Sequence, residues 1–108
     1  MTKPKSKQPV SVGDIYACRG DDASWRVVKV LAMEKSVVYV RLYKNRFPRR
    51  PRKVDPETLT LVMTVEDLDQ DILPIGISWM PIAKAAFIKE EKYFLTHVPV
   101  TREELEDL

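Results

Sequence analysis

The stretch Val37-Val38-Tyr39-Val40-Arg41-Leu42-Tyr43 decides the class of fold. Side chains on a strand alternate between its two faces. A period of two therefore puts Val38, Val40 and Leu42 on one side and Tyr39, Arg41 and Tyr43 on the other. β-Branched and aromatic residues at most positions favour the extended chain. Upstream, Ser24 to Met33 reads as a second strand with apolar residues on both faces, which predicts cover on both sides over part of its length. Glu34-Lys35-Ser36 is the tight connection between the two. Before them, Val12 to Arg19 is rich in strand formers and runs into a turn cluster at residues 20–23.

Downstream, Arg46-Phe47-Pro48-Arg49-Arg50-Pro51-Arg52-Lys53 interrupts the pattern, because two prolines in four residues exclude a central strand or a helix interior. Thr58 to Val65 returns to period two, with Leu59, Leu61 and Met63 on one side, and reads as a fourth strand. Residues 66–71 form an acidic loop or a single helical turn. Residues 72–77, broken by Pro74 and Gly76, read as irregular or a short edge strand. Pro81 suits the first position of a helix, and Ile82 to Glu91 is composed of helix formers. Lys92 to Thr96 reads as a strand or extended segment. Thr101-Arg102-Glu103-Glu104 matches the capping box and opens a short C-terminal helix.

The expected fold is α+β: a small four- to five-stranded antiparallel meander or SH3-like barrel, followed by one helix and a short C-terminal helix. Residues 1–9 read as a disordered basic tail and 10–108 as a single domain. The Val12–Tyr16 opening, the run from Trp25 to Val30 and the run from Val38 to Tyr43 resemble small SH3-like or Tudor-like β-barrels over residues 11–63. Pro81 to Leu108 lies outside that likeness. An aromatic cage of such a barrel requires Tyr16, Trp25, Tyr39 and Tyr43 to converge on one pocket.

A chain of 108 residues, 44% hydrophobic and 31% charged, suits one domain rather than two. Its net charge of +2 conceals a division. Residues 1–54 hold 14 Lys and Arg against 4 Asp and Glu, a net of +10; residues 55–108 hold 4 against 12, a net of −8. A lone cysteine, Cys18, excludes an internal disulfide, and a lone histidine, His97, leaves no Cys/His set for structural zinc. A Cys18–His97 nucleophile pair lacks an orienting third group; a buried thiol and a surface histidine are the simpler reading. No apolar run spans a bilayer, and residues 1–9 lack the apolar core of a secretory signal, so a cytoplasmic protein without membrane contact is expected.

The strongest functional signal is the basic run. Arg46, Arg49, Arg50, Arg52 and Lys53 carry five cations in eight residues, with Tyr43 and Phe47 beside them and Arg41 close by. Guanidinium forks suit phosphates and aromatic rings suit unpaired bases. Four such charges on duplex phosphates correspond to a salt slope of about −3.6, roughly a hundredfold loss between 50 and 200 mM salt. The competing reading is a solvated loop paired with the acidic half. Pro48-Arg49-Arg50-Pro51 also has the P-x-x-P form of a polyproline ligand, although its place between strands favours a rigid connector. Asp67, Asp69 and Asp71 alternate like a calcium loop, but Ile72 stands where glycine is required and Ser78 where glutamate is. A magnesium site at Glu66, Asp67 and Asp69 lacks a glycine-rich phosphate cradle. Trp79, Met80 and Pro81, with Ile75 and Ile77, read as core rather than as a partner patch.

The sequence therefore predicts a non-enzymatic interaction protein with no catalytic residues, no cofactor and no metal. Arg41, Tyr43, Arg46, Phe47, Arg49, Arg50, Arg52 and Lys53 are its candidate contacts to nucleic acid. The alternative is an accessory protein that binds an acidic protein surface or self-associates through the +10/−8 split. The oligomeric state is not specified by the sequence.

Overall fold

The alternation of residues 37–43 becomes strand β3 (Val37–Leu42) in the computed structural model, which describes residues 10–19, 23–61 and 76–106. Its neighbours are β2 (Trp25–Met33) and β4 (Ile77–Ala83). Strand β1 (Asp14–Arg19) flanks β2, and β5 (Lys92–His97) pairs with the far side of β1. One antiparallel sheet of five strands results, in the order β4-β3-β2-β1-β5. Four strands meander and the fifth crosses to the opposite edge. Helices α1 (Lys84–Lys89) and α2 (Arg102–Glu106) and a 3-10 turn at Pro56–Thr58 complete the described elements. The expected α+β meander with two short helices is the fold observed. The sheet is open, with its edges at β4 and β5.

Three ladders carry a register shift. One residue of β5, Leu95, has no partner where Ile15 and Tyr16 face Thr96 and Phe94. Leu31 of β2 is skipped between the Val30–Val40 and Ala32–Tyr39 pairs. On β4, Ser78 and Trp79 stand opposite Arg41 alone. Extra residues of this kind bend a strand and increase its twist.

Both faces of the sheet are covered. On one face Tyr16, Cys18, Val28, Val30, Val38 and Val40 enclose Phe87 of α1, which is 1% exposed. The Tyr16 and Phe87 rings meet edge to face with centroids 6.1 Å apart. Burial of a phenyl ring of this kind contributes about 2–3 kcal/mol. On the other face Ile15, Val27 and Tyr43 receive Phe47, Val54, Leu59 and Leu61 from the long β3–β4 connection, and Leu95 and Val98 from the C-terminal side. Arg41 and Lys29 also lie on this face and receive α2.

Two elements differ from the sequence reading. Pro81 does not open a helix but lies within β4, opposite Tyr39 on the edge of the sheet, where a missing N–H costs no ladder bond. Met80 and Ile82 turn into the core while Trp79, Pro81 and Ala83 face outward, so the period is two and the helix begins only at Lys84. Trp79, expected in the core, is 36% exposed and tilts against Tyr39 at 6.0 Å. The expected strand from Thr58 is likewise absent over its described part. Thr58 closes the 3-10 turn and residues 59–61 are unpaired with any strand, although Leu59 and Leu61 do pack inward. Residues 62–65, the acidic segment 66–71, residues 72–75 and the basic tail 1–9 lie outside the described residues. The C-terminal cap is as expected: the Thr101 N–H donates to Glu104 Oε1 at 2.9 Å and the Glu104 N–H to Thr101 Oγ1 at 3.2 Å.

Candidate functional site

The basic loop is fastened at its base. Asn45 acts as a backbone surrogate: its Nδ2 donates to the Thr58 carbonyl at 2.9 Å and its Oδ1 accepts from the Thr60 N–H at 3.0 Å. The Lys44 N–H donates to the Thr60 carbonyl at 2.9 Å beside it. Asp55 caps the 3-10 turn through the Glu57 N–H at 3.0 Å. On the other arm, Phe47 and Trp25 exchange backbone bonds of 2.8 and 3.0 Å in an isolated antiparallel bridge. Phe47 and Val54 fill the core beneath. Arg46, Arg49, Arg50, Arg52 and Lys53 are left on the outside. Prolines 48 and 51, each with its own φ fixed by the ring, bracket Arg49 and Arg50.

Aromatic rings hold one cation of the loop, Arg50, and one of the neighbouring sheet end, Arg19. The Arg50 guanidinium lies over Tyr93 of β5, its central carbon 4.1 Å from the ring centroid. Tyr93 meets Trp25 of β2 edge to face at 5.8 Å, and Arg19 of β1 lies over Trp25 at 5.7 Å. The register explains the gathering: Arg19 pairs with Trp25, while Ala17 pairs with Tyr93 on one side and Val27 on the other. A continuous file from Arg50 through Tyr93 and Trp25 to Arg19 therefore crosses one end of the sheet. Each such contact contributes about 0.5–1 kcal/mol at a solvated site.

Two of the residues singled out from sequence belong elsewhere. Arg41 donates through Nε to the Ser78 carbonyl at 3.1 Å, which ties down the irregularity of β4, and its Nη1 reaches Glu104 Oε2 at 3.5 Å. Tyr43 is buried at 9% exposure, and burial, with the Glu104 charge adding and Arg41 opposing, pushes its phenol up to about 12. Phe47 is half-buried and supports the loop from beneath. Conversely, Arg19 and Tyr93 belong to the patch and were not marked by the sequence, while Trp25, considered for an aromatic cage, joins them here instead. Tyr93 is more than forty residues from Arg50, and only strand order brings them together.

Among the described residues, Glu104 of the acidic half pairs with two cations of the sheet, Lys29 and Arg41. Glu104 accepts from Lys29 Nζ at 2.9 Å with both side chains almost wholly buried. Burial opposes its charge, but the Thr101 N–H, the Lys29 ammonium and the Arg41 guanidinium hold its carboxyl below the ordinary range. Arg49, Arg52 and Lys53 make no ion pair among the described residues. The four rings of an aromatic cage do not converge: Tyr16 lies on the α1 face, Trp25 on the other, Tyr39 against Trp79, and Tyr43 inside.

Cys18 and His97 stand at opposite ends of the β1–β5 ladder, Cys18 opposite Lys92 and His97 opposite Asp14. Burial and the nearby Glu90 charge push the Cys18 thiol up to about 12. Asp14, buried, accepts from Ser11 N–H at 2.9 Å and from Tyr16 Oη at 3.0 Å, and lies 2.9 Å from His97 Nδ1. Lys92 is buried against the Phe87 and Tyr16 rings and donates to the Phe87 and Ile88 carbonyls that end α1. Desolvation lowers its ammonium from the usual value. The acids 66, 67 and 69 considered for magnesium, with Asp71 of the calcium-like run, lie outside the described residues, and among the described ones no group of three or more His, Cys, Asp or Glu can hold a metal ion. No helix among the described residues is long and apolar enough to cross a membrane. No protein-family model, curated protein or solved structure matches the chain.

Proposed function

We propose that this protein is a small non-enzymatic interaction module that contacts nucleic acid through the Arg46–Lys53 loop and the rings beside it. The observation that carries the reading is Arg50 seated on Tyr93 at 4.1 Å, next to Arg49, Arg52 and Lys53, exposed and without acidic partners among the described residues. Guanidinium forks on a fastened loop lose little freedom when they meet phosphates. The same reading takes the fold as SH3-like or Tudor-like and the setting as cytoplasmic; the bulged meander and the single buried thiol support it.

Fluorescence anisotropy with short labelled RNA and DNA is the test. If about four charges engage a single strand, log K falls with log salt at a slope of about −2.8, roughly fiftyfold between 50 and 200 mM. No salt-sensitive binding at tens of micromolar protein removes the reading.

A second reading is docking on an acidic protein surface through the loop cations, or on another copy; the exposed Glu103 and Glu106 of α2, which turn away from the sheet while Glu104 turns in, favour the version with another copy. Sedimentation across a salt series tests the self-association version, and a salt-independent monomer removes it.

A further inference from the structure

Resting on the reading above, we infer that the nucleic acid is single-stranded and that ring-seated guanidiniums, Arg50 foremost, are what grip it. The rings at this end of the sheet are not bare stacking platforms. Tyr93 lies beneath Arg50 and Trp25 beneath Arg19, and the two rings brace each other edge to face. A guanidinium lying flat on a ring keeps its N–H edge for a phosphate, and its outer plane offers a stacking face to an unpaired base. Both cations are exposed, so both edges are available. The bracketing prolines and the Asn45 clasp hold Arg50 where the ring can receive it.

A duplex fits this arrangement poorly. Its base faces are stacked away, and reading its grooves requires an element that enters one. The described helices have six and five residues, and each is turned to the sheet, α1 by buried Phe87 and α2 by buried Glu104. What remains outward is a short file of planar cations and rings across a sheet end. A flexible strand can follow that file, alternating phosphate contacts with stacked bases.

The full chain is titrated with labelled oligouridylate and oligothymidylate of roughly 20 nucleotides, longer than the about 4–16 that one small β-domain covers, and with a duplex of the same length. The single strands are expected to bind at least tenfold more tightly than the duplex at equal salt. Arg50→Lys keeps the charge but not the plane; it weakens single-strand binding about three- to tenfold with the salt slope unchanged. Arg50→Ala weakens it further and flattens the slope by about 0.7. Tyr93→Leu, which keeps every charge, is expected to match Arg50→Lys. Near-UV circular dichroism of each variant confirms the native fold. Duplex binding equal to single-strand binding, or Arg50→Lys and Tyr93→Leu both indistinguishable from the parent, overturns this inference and leaves nucleic-acid contact standing. Failure of all three oligonucleotides to bind overturns the parent reading itself.

Discussion

Glu104 Oε1 accepts a hydrogen bond from Lys29 Nζ at 2.9 Å, joining residues 75 positions apart inside the protein. The same carboxylate closes the capping box of α2 and reaches Arg41, so one side chain fixes the C-terminal helix to the centre of the sheet. The division of charge along the chain is thus partly internal. Glu104 cancels cations of β2 and β3, while Arg49, Arg52 and Lys53 of the loop are exposed and make no ion pair among the described residues.

Glu104→Gln leaves Lys29 and Arg41 facing a neutral amide in a nearly dry site. A loss of about 3 kcal/mol is expected by urea unfolding near neutral pH. The folded carboxyl titrates below its unfolded value, so its stabilisation is present above the unfolded value near 4.5 and is lost as pH falls through the lower, folded one. Between pH 5 and pH 3, roughly, the parent therefore loses more stability than Glu104→Gln does. Parallel acid profiles for the two proteins would contradict this.

At the alkaline end the sign reverses. Folding raises Cys18 from 9.0 to about 12 and Tyr43 from 10.0 to about 12, and Tyr16 rises as well, chiefly through burial. Each contribution is complete below the unfolded value and disappears as pH rises toward the folded one. Stability is expected to fall from about pH 9 upward, with Cys18 contributing on the order of 2 kcal/mol of that fall by about pH 10.5. In Cys18→Ala the onset moves up to the tyrosine range, which denaturant titrations at stepped pH resolve.

Asn45→Ala opens the clasp of the basic loop. Two hydrogen bonds are lost, with about 1–2 kcal/mol expected locally. Amide exchange at Thr60 is predicted to accelerate by at least tenfold, while amides of the β2–β3 ladder remain protected. Uniform acceleration across the sheet would mean that the loop and sheet open together.

Gly13 has φ +98°, and a Cβ there would stand 2.8 Å from His97 Cε1 and 2.9 Å from the Val98 carbonyl oxygen. The neighbouring Asp14–His97 contact restricts how far the ring can retreat. Gly13→Ala is expected to cost about 2 kcal/mol or more. A thermal melt within a degree or two of the parent would show that the turn relaxes freely.

Several elements were legible in the chain because their signals are local. Alternation over residues 37–43 marks β3, apolar residues on both faces of Trp25–Met33 announce a doubly covered strand, and Thr101 with Glu104 announces the cap. Local signals also misled. Pro81 and the alanines after it look like a helix start, yet the cost of proline vanishes on an edge strand, where Met80 and Ile82 gain burial against β3. At Thr58–Leu61 the alternation is present, but the Asn45 side chain supplies the bonds that a neighbouring strand was expected to give.

By itself the amino-acid sequence determined an α+β meander, a proline-stiffened basic loop and a chain split between basic and acidic halves. Those properties depend on residue type and short spacing. Only the tertiary structure decided which cations pair with Glu104 and which lie on aromatic rings, because that depends on strand order. The return of β5 to the side of β1 sets Tyr93 beneath Arg50, and the position of Arg41 beside Lys29 lets Glu104 reach both from the far end of the chain.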